Sequence, residues 1–233
     1  MDLKINNSYV SHLLSLKTDN EKQRFLKKLN NDADKENENA IVARCLLKLE
    51  GYMVEKSITD SLKNLDNLVK EKRSPLAANA LGLIYKKGLY EQRESAHKAD
   101  DYLRIAAQNN DPSSCYELGK MYLNGDGVRK DIHESLRWIE KAAEKGNVEA
   151  MVMYGELLLG GGTGAFGDAV KPNPQKAITV LNKANEKGSE RAREVLCKYY
   201  AGLALSFGSK VTSLSEDTEI ICGALTEIEW VLK

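Results

Sequence analysis

The stretch GGGTGAFGD at 160–168 contains Gly162-Thr163-Gly164-Ala165-Phe166-Gly167, which fits the G-x-G-x-x-G spacing of turns that cradle a dinucleotide. That chemistry needs a strand before the glycines and a helix that starts at them, so that a pyrophosphate meets the unpaired N–H groups of a helix N-terminus. Neither flank supplies this. The apolar helical stretch AMVMYGELLL precedes the run, and the next helix start is Asn173-Pro174. A phosphate loop fails too, because no Gly-Lys-Ser/Thr follows. The expectation that remains is an enlarged, flexible inter-helix loop over 159–172, displaying Thr163, Phe166 and Asp168 to a partner, with Phe166 tucked back onto the solenoid as the alternative.

Other chemistry-bearing residues fare no better. NGDGVRKD offers Asn124, Asp126 and Asp131 as calcium ligands, but it lacks the D-x-[DN]-x-[DN]-G spacing and the late bidentate Glu, and its glycines sit where a tight turn between helices needs positive φ. His12, His97 and His133 are isolated, without a carboxylate or second histidine in a ligand-like arrangement. Cys45, Cys115, Cys197 and Cys222 are far apart with no C-x-x-C pair, so buried reduced thiols are expected rather than zinc or redox chemistry. No Ser or Cys stands in a recognised nucleophile motif. The residues therefore assign no catalytic, cofactor or metal role, and the expected class is not an enzyme.

The elements that would carry a site follow from internal repetition. Leu118-Gly119 falls on Leu81-Gly82, Tyr122 on Tyr85, Trp138 on Tyr102 and Ala142-Ala143 on Ala106-Ala107, at an offset of 36 or 37 residues. In the next copy Tyr154-Gly155 follows Leu118-Gly119 by 36, whereas Ala177, Leu181, Ala184 and Gly188 follow Ser135, Ile139, Ala142 and Gly146 by 42. The difference of six is an insertion, and it coincides with the glycine run. Weaker copies flank these three: Cys45 and Gly51 stand where Gly82 and Gly88 would, and Cys197 follows Gly188 by the nine residues that separate Gly155 from Gly146.

Each copy reads as two helices. Ser114, Leu118, Met121 and Tyr122 recur at helical spacing, with Ser113, Glu117 and Lys120 opposite. The second helix opens at Asp131 with Glu134 as a capping-box pair, carries Leu136, Ile139, Ala142 and Ala143, and closes at Gly146 in the left-handed conformation. Asn173-Pro174 supplies an N-cap and a first-turn proline in the third copy. Gly82, Gly119 and Gly155 are mid-helix, where glycine costs about 1 kcal/mol against alanine, so close helix–helix approach must favour them. Cys45 and Cys197 keep that slot small and apolar.

The stretch SSCYELGKMYLNGDGVRKDIHESLRWIEKAAEKGNVEA resembles the Sel1-like repeat, a relative of the tetratricopeptide repeat. Leu118-Gly119, Met121-Tyr122, Asn124-Gly125-Asp126-Gly127-Val128, Asp131, Trp138, Ala142-Ala143 and Gly146-Asn147 carry the likeness. It is clear over about 75–202 and weaker over 38–74; the first copy departs in the loop KKGLYEQRESAHK, and the third carries the insertion. The resemblance implies an all-α, right-handed α/α solenoid of antiparallel helix pairs, in a family whose members act as adaptors, scaffolds or inhibitors, often in bacterial host interaction and interbacterial competition.

The expected organisation is capping helices over 1–37, a solenoid over 38–208 with units at about 38–74, 75–111, 112–147, 148–189 and 190–208, and a capping helix over 209–233 in which Trp230 is an alternative dimer contact. First helices line the concave wall of such a stack, which puts Tyr116, Glu117 and Lys120, then Val152, Met153 and Glu156, then Glu194 and Lys198, on a face suited to a protein or peptide. Tyr116 and Val152 are the members closest to the packing stripe.

Lysine plus arginine and aspartate plus glutamate both number 34, so no global field draws the chain to nucleic acid or anionic lipid. The start MDLKINNSYV lacks a secretory apolar core, and no run nears the roughly 18 apolar residues of a membrane span. The expectation is a cytoplasmic bacterial adaptor or regulator, monomeric or weakly dimeric, holding another protein without cofactor or metal. The alternatives are an immunity protein neutralising a cognate toxin, a secreted effector binding a host protein, and, from a different class, an enzyme.

Overall fold

Short polar residues start the first helix of every pair, at one repeating register. Asn37 Oδ1 accepts from the Ala40 amide at 3.1 Å, Ser74 Oγ from Ala77 at 3.5 Å, Asp111 Oδ2 from Ser114 at 2.7 Å, Asn147 Oδ1 from Ala150 at 2.7 Å and Ser189 Oγ from Ala192 at 3.3 Å. Each bond satisfies an amide that a helix start leaves without an intrahelical partner. The computed structural model describes residues 7–160 and 171–208, and the chain divides into two compact units, Met1–Asp131 and Ile132–Lys233. The described residues form eleven α-helices and no strand, the all-α class expected.

The first unit runs α1 (Ser8–Ser15), α2 (Asp19–Asp34), α3 (Glu38–Glu50), α4 (Ile58–Lys72), α5 (Pro75–Lys87), α6 (Ala96–Gln108) and α7 (Pro112–Asn124). Thr18 caps α2 in a full capping box: its hydroxyl takes the Glu21 amide, and Glu21 takes the Thr18 amide at 3.1 Å. Val10 and Leu13 of α1 and Leu26, Leu29 and Ala33 of α2 are buried in one core with α3, so these two helices cover the face of the first hairpin. Gly51, Gly88 and Gly125 close α3, α5 and α7 at φ +68°, +61° and +80°. Gly127 is also left-handed, and a Cβ there would overlap Ala96, so the glycines of NGDGV are needed by the turn itself.

The second unit runs α8 (Ile132–Glu144), α9 (Val148–Gly160), α10 (Pro174–Glu186) and α11 (Glu190–Gly208). Gly146, at φ +93°, ends the α8 turn in the left-handed region, as its position predicts. Asn173 accepts from the Lys176 amide at 3.0 Å with Pro174 at the start of α10, again as predicted. The insertion lies between α9 and α10, and Thr163, Phe166 and Asp168 fall outside the described residues, as do the expected capping helix over 209–233 and Trp230.

The mid-helix glycines do what the repeat requires. A Cβ on Gly82 of α5 would lie 2.6 Å from Leu103 Cγ of α6, and one on Gly155 of α9 would lie 2.5 Å from Leu181 Cγ of α10. Leu103 and Leu181 hold one register in their own helices, so the two glycines occupy equivalent slots. Buried Ser61 and Leu65 on α4, Ala99 and Leu103 on α6, Ser135 and Ile139 on α8, and Ala177 and Leu181 on α10 continue that register through all the second helices described. Cys45 is buried in its slot, whereas Cys197 is only half-buried, short of the burial expected of it.

Candidate protein-interaction surface

In the first unit Tyr116, Glu117 and Lys120 lie on one face of α7, half-buried, and form a connected cluster. Lys120 Nζ stands 5.2 Å from the Tyr116 ring centroid and 3.7 Å from Glu117 Oε1. Glu117 in turn accepts a hydrogen bond from Lys86 of α5, so the cluster bridges two successive first helices. With side chains 20% and 18% exposed, the Lys86–Glu117 pair is shielded from solvent better than a typical surface bridge. Lys120, its side chain 35% exposed against 18% for Glu117, is the more open member of that pair.

The second unit repeats the device at another position. Arg191 of α11 donates to Glu156 of α9 at 3.0 and 3.3 Å, and Met153 lies half-buried one turn before Glu156. Glu194 and Lys198 are exposed one turn apart on α11. Val152 is not part of this surface. It is 4% exposed and belongs to the core, because α9 is apolar nearly all round and its packing stripe takes in both Met151 and Val152.

The sequence pattern did not disclose Asn79. It is 2% exposed inside α5, and its Nδ2 donates to Asp111 Oδ2 at 2.9 Å and Ser114 Oγ at 2.6 Å, tying α5 to the capped start of α7. The signal was an amide inside the otherwise apolar run LAANALG. Lys86 and Arg191 were missed as partners of Glu117 and Glu156; their separations of 31 and 35 residues, close to one repeat, are the trace they leave.

Several perturbed titratable groups also join neighbouring helices. Burial, then a bond to Asp66 of α4 at 2.8 Å, raises the pKa of the Tyr102 hydroxyl on α6. Glu140 of α8 accepts from Lys176 of α10 at 2.7 Å and from Tyr154 of α9 at 2.6 Å, and these bonds hold its carboxyl below the usual carboxylate range. Burial pushes the Cys45 thiol up to about 11, which leaves it protonated at neutral pH. His97 does have a carboxylate: its Nδ1 lies 3.0 Å from Asp101 Oδ2, an exposed contact one turn along α6.

The family model described as Sel1 repeat matches residues 75–111, 112–147 and 148–189. The chain belongs to the Sel1-repeat family. Over 57 residues it is 44% identical to the ERAD-associated E3 ubiquitin-protein ligase component HRD3B of Arabidopsis thaliana, a match covering 24% of this chain and 9% of that protein. Over 117 residues it is 30% identical to cytochrome c oxidase assembly factor 7 of Xenopus tropicalis, covering 49% of this chain and 48% of that one. The chain thus spans about half the length of one of these relatives and under a tenth of the other. A crystal structure of a Sel1 repeat protein from Oxalobacter formigenes matches with a TM-score of 0.65 at 24% identity, over 76% of this chain and 69% of that one.

Sel1-repeat proteins generally mediate protein–protein interaction and are typically non-catalytic scaffolds. The pair α3–α4 lies outside the three matched Sel1 repeats, yet it has the same N-cap register, left-handed glycine and buried small slot, so it is a further, diverged helix pair. Among the described residues no helix is long and apolar enough to cross a membrane.

Proposed function

We propose that this chain is a noncatalytic adaptor that holds a partner protein on the first-helix surface of each unit, through Tyr116, Glu117 and Lys120 in the first and Met153, Glu156, Glu194 and Lys198 in the second. The observation that carries the reading is the make-up of these two surfaces. A tyrosine and a methionine stand among charges of both signs, and Glu117 and Glu156 are already steadied by Lys86 and Arg191, so these two meet a partner with part of their side-chain entropy already lost. The named relatives point the same way, since one is by its name a ligase component and the other an assembly factor. The groups whose titration is shifted by neighbours are engaged in capping a helix or joining one to the next, which supports a scaffold reading.

Replacing Tyr116, Lys120, Met153 and Glu156 together by alanine is expected to abolish capture of protein partners from a lysate of the source organism. Helical circular dichroism should stay unchanged and the melting temperature should fall only slightly, because the Arg191–Glu156 pair that is lost is a surface bridge worth about 0–1 kcal/mol. Capture undiminished in this variant would overturn the assignment of these surfaces.

A further inference from the structure

A second surface lies on the opposite, second-helix side of the second unit, between α8 and α10. There a cleft of about 500 Å³ opens, with Ala143, Met151 and Tyr154 in its floor and Val180 in its wall. The repeat register sets one wall residue apart. Val180 occupies the position held by Tyr102 in α6 and Trp138 in α8. In the first unit Tyr102 spans from α6 to α4 and α5: its ring stacks on Tyr85 at 5.7 Å and its hydroxyl reaches Asp66. Glu140 stands in α8 where Asp66 stands in α4, but valine is too short to reach it. Tyr154 from the floor and Lys176 from the start of α10 satisfy Glu140 instead, and the cleft lies beside them.

The rim is basic. Lys145, Lys183 and Lys187 line the cleft and are exposed, and they form no ion pair with the described residues. Lys176 is neutralised by Glu140, which leaves Glu144 as the carboxylate set against three ammonium groups. A chain with formal net charge zero thus gathers positive charge around one apolar cleft.

We propose that the α8/α10 groove docks an acidic segment of a partner protein, which inserts one aromatic side chain against Met151, Tyr154 and Val180 and sets its carboxylates against Lys145, Lys183 and Lys187. The ring supplies the anchor, and the charge supplies orientation and on-rate. This site is separate from the first-helix face and does not depend on it.

The test is fluorescence anisotropy of the full chain with a fluorescein-labelled peptide, Glu-Asp-Glu-Trp-Glu-Asp-Glu. Saturable binding is expected, weakening as salt rises from about 0.05 M to 0.3 M. Val180→Tyr, which puts a ring into the cleft wall, is expected to weaken it by about tenfold or more, and so is Lys183→Glu with Lys187→Glu. Exchanging the peptide tryptophan for alanine should have a similar effect. The lysine variants change exposed residues only, so they keep the test decisive if Val180→Tyr disturbs folding. Absence of binding, equal binding by both variants, or indifference to the tryptophan would each overturn the proposal. So would concentration-dependent self-association of the free chain that the lysine variants abolish, since it would assign the groove to a second copy.

Discussion

At the scale of single residues, the decisive feature is the absence of a Cβ at Gly82 and Gly155. Alanine is the better helix former by about 1 kcal/mol, so a helix considered alone would gain from either substitution. The neighbour reverses the sign. The new methyl would sit 2.6 Å from Leu103 Cγ or 2.5 Å from Leu181 Cγ, well inside van der Waals contact, and relief requires a buried leucine or a whole helix to shift. Gly82→Ala and Gly155→Ala are each expected to lower stability by about 1–2 kcal/mol net, read as a lower urea midpoint with unchanged slope. Leu103→Ala alone costs about 2–5 kcal/mol, but combined with Gly82→Ala it should cost less than the sum, because the clash is gone. A raised midpoint for Gly82→Ala would mean that the slot is not under steric control.

At the scale of elements, caps and turns were legible in the sequence because their chemistry is local. Asn173-Pro174 and the left-handed Gly146 need only a few consecutive residues to be recognised. Contacts between hairpins were not legible, since Asn79, Lys86 and Arg191 acquire meaning only once a neighbouring helix is placed beside them. Val152 was misplaced for a related reason: a helix with apolar residues on most sides gives periodicity little to work with. The link among α8, α9 and α10 at Glu140 belongs to the same class and makes a pH prediction. Lys176 and then Tyr154 depress the folded pKa of Glu140, so its contribution is fully present above the unfolded value of about 4.3 and is lost as pH falls through the folded value. Glu140→Gln should therefore melt below the parent at neutral pH, by no more than about 1 kcal/mol for this partly exposed pair, and the gap should narrow between about pH 5 and pH 3. A gap independent of pH would show that the carboxylate charge contributes nothing.

At the scale of the whole molecule, stacked repeats distribute stability as intrinsic terms plus contacts between neighbours, so damage to one junction should stay mostly local. Asn79 provides a clean lesion. Its amide joins α5 to Asp111 and Ser114 of α7, and Asn79→Ala removes both bonds at a fully buried site, an expected loss of about 1–3 kcal/mol. Native-state hydrogen exchange of that variant should show faster exchange across α5, α6 and α7. Protection in α9 and α10, which pack on α8, on α11 and on each other, should change by much less. An equal loss of protection in every helix would instead describe one all-or-none unit, and the repeat would then be a pattern of sequence and packing without being a unit of stability.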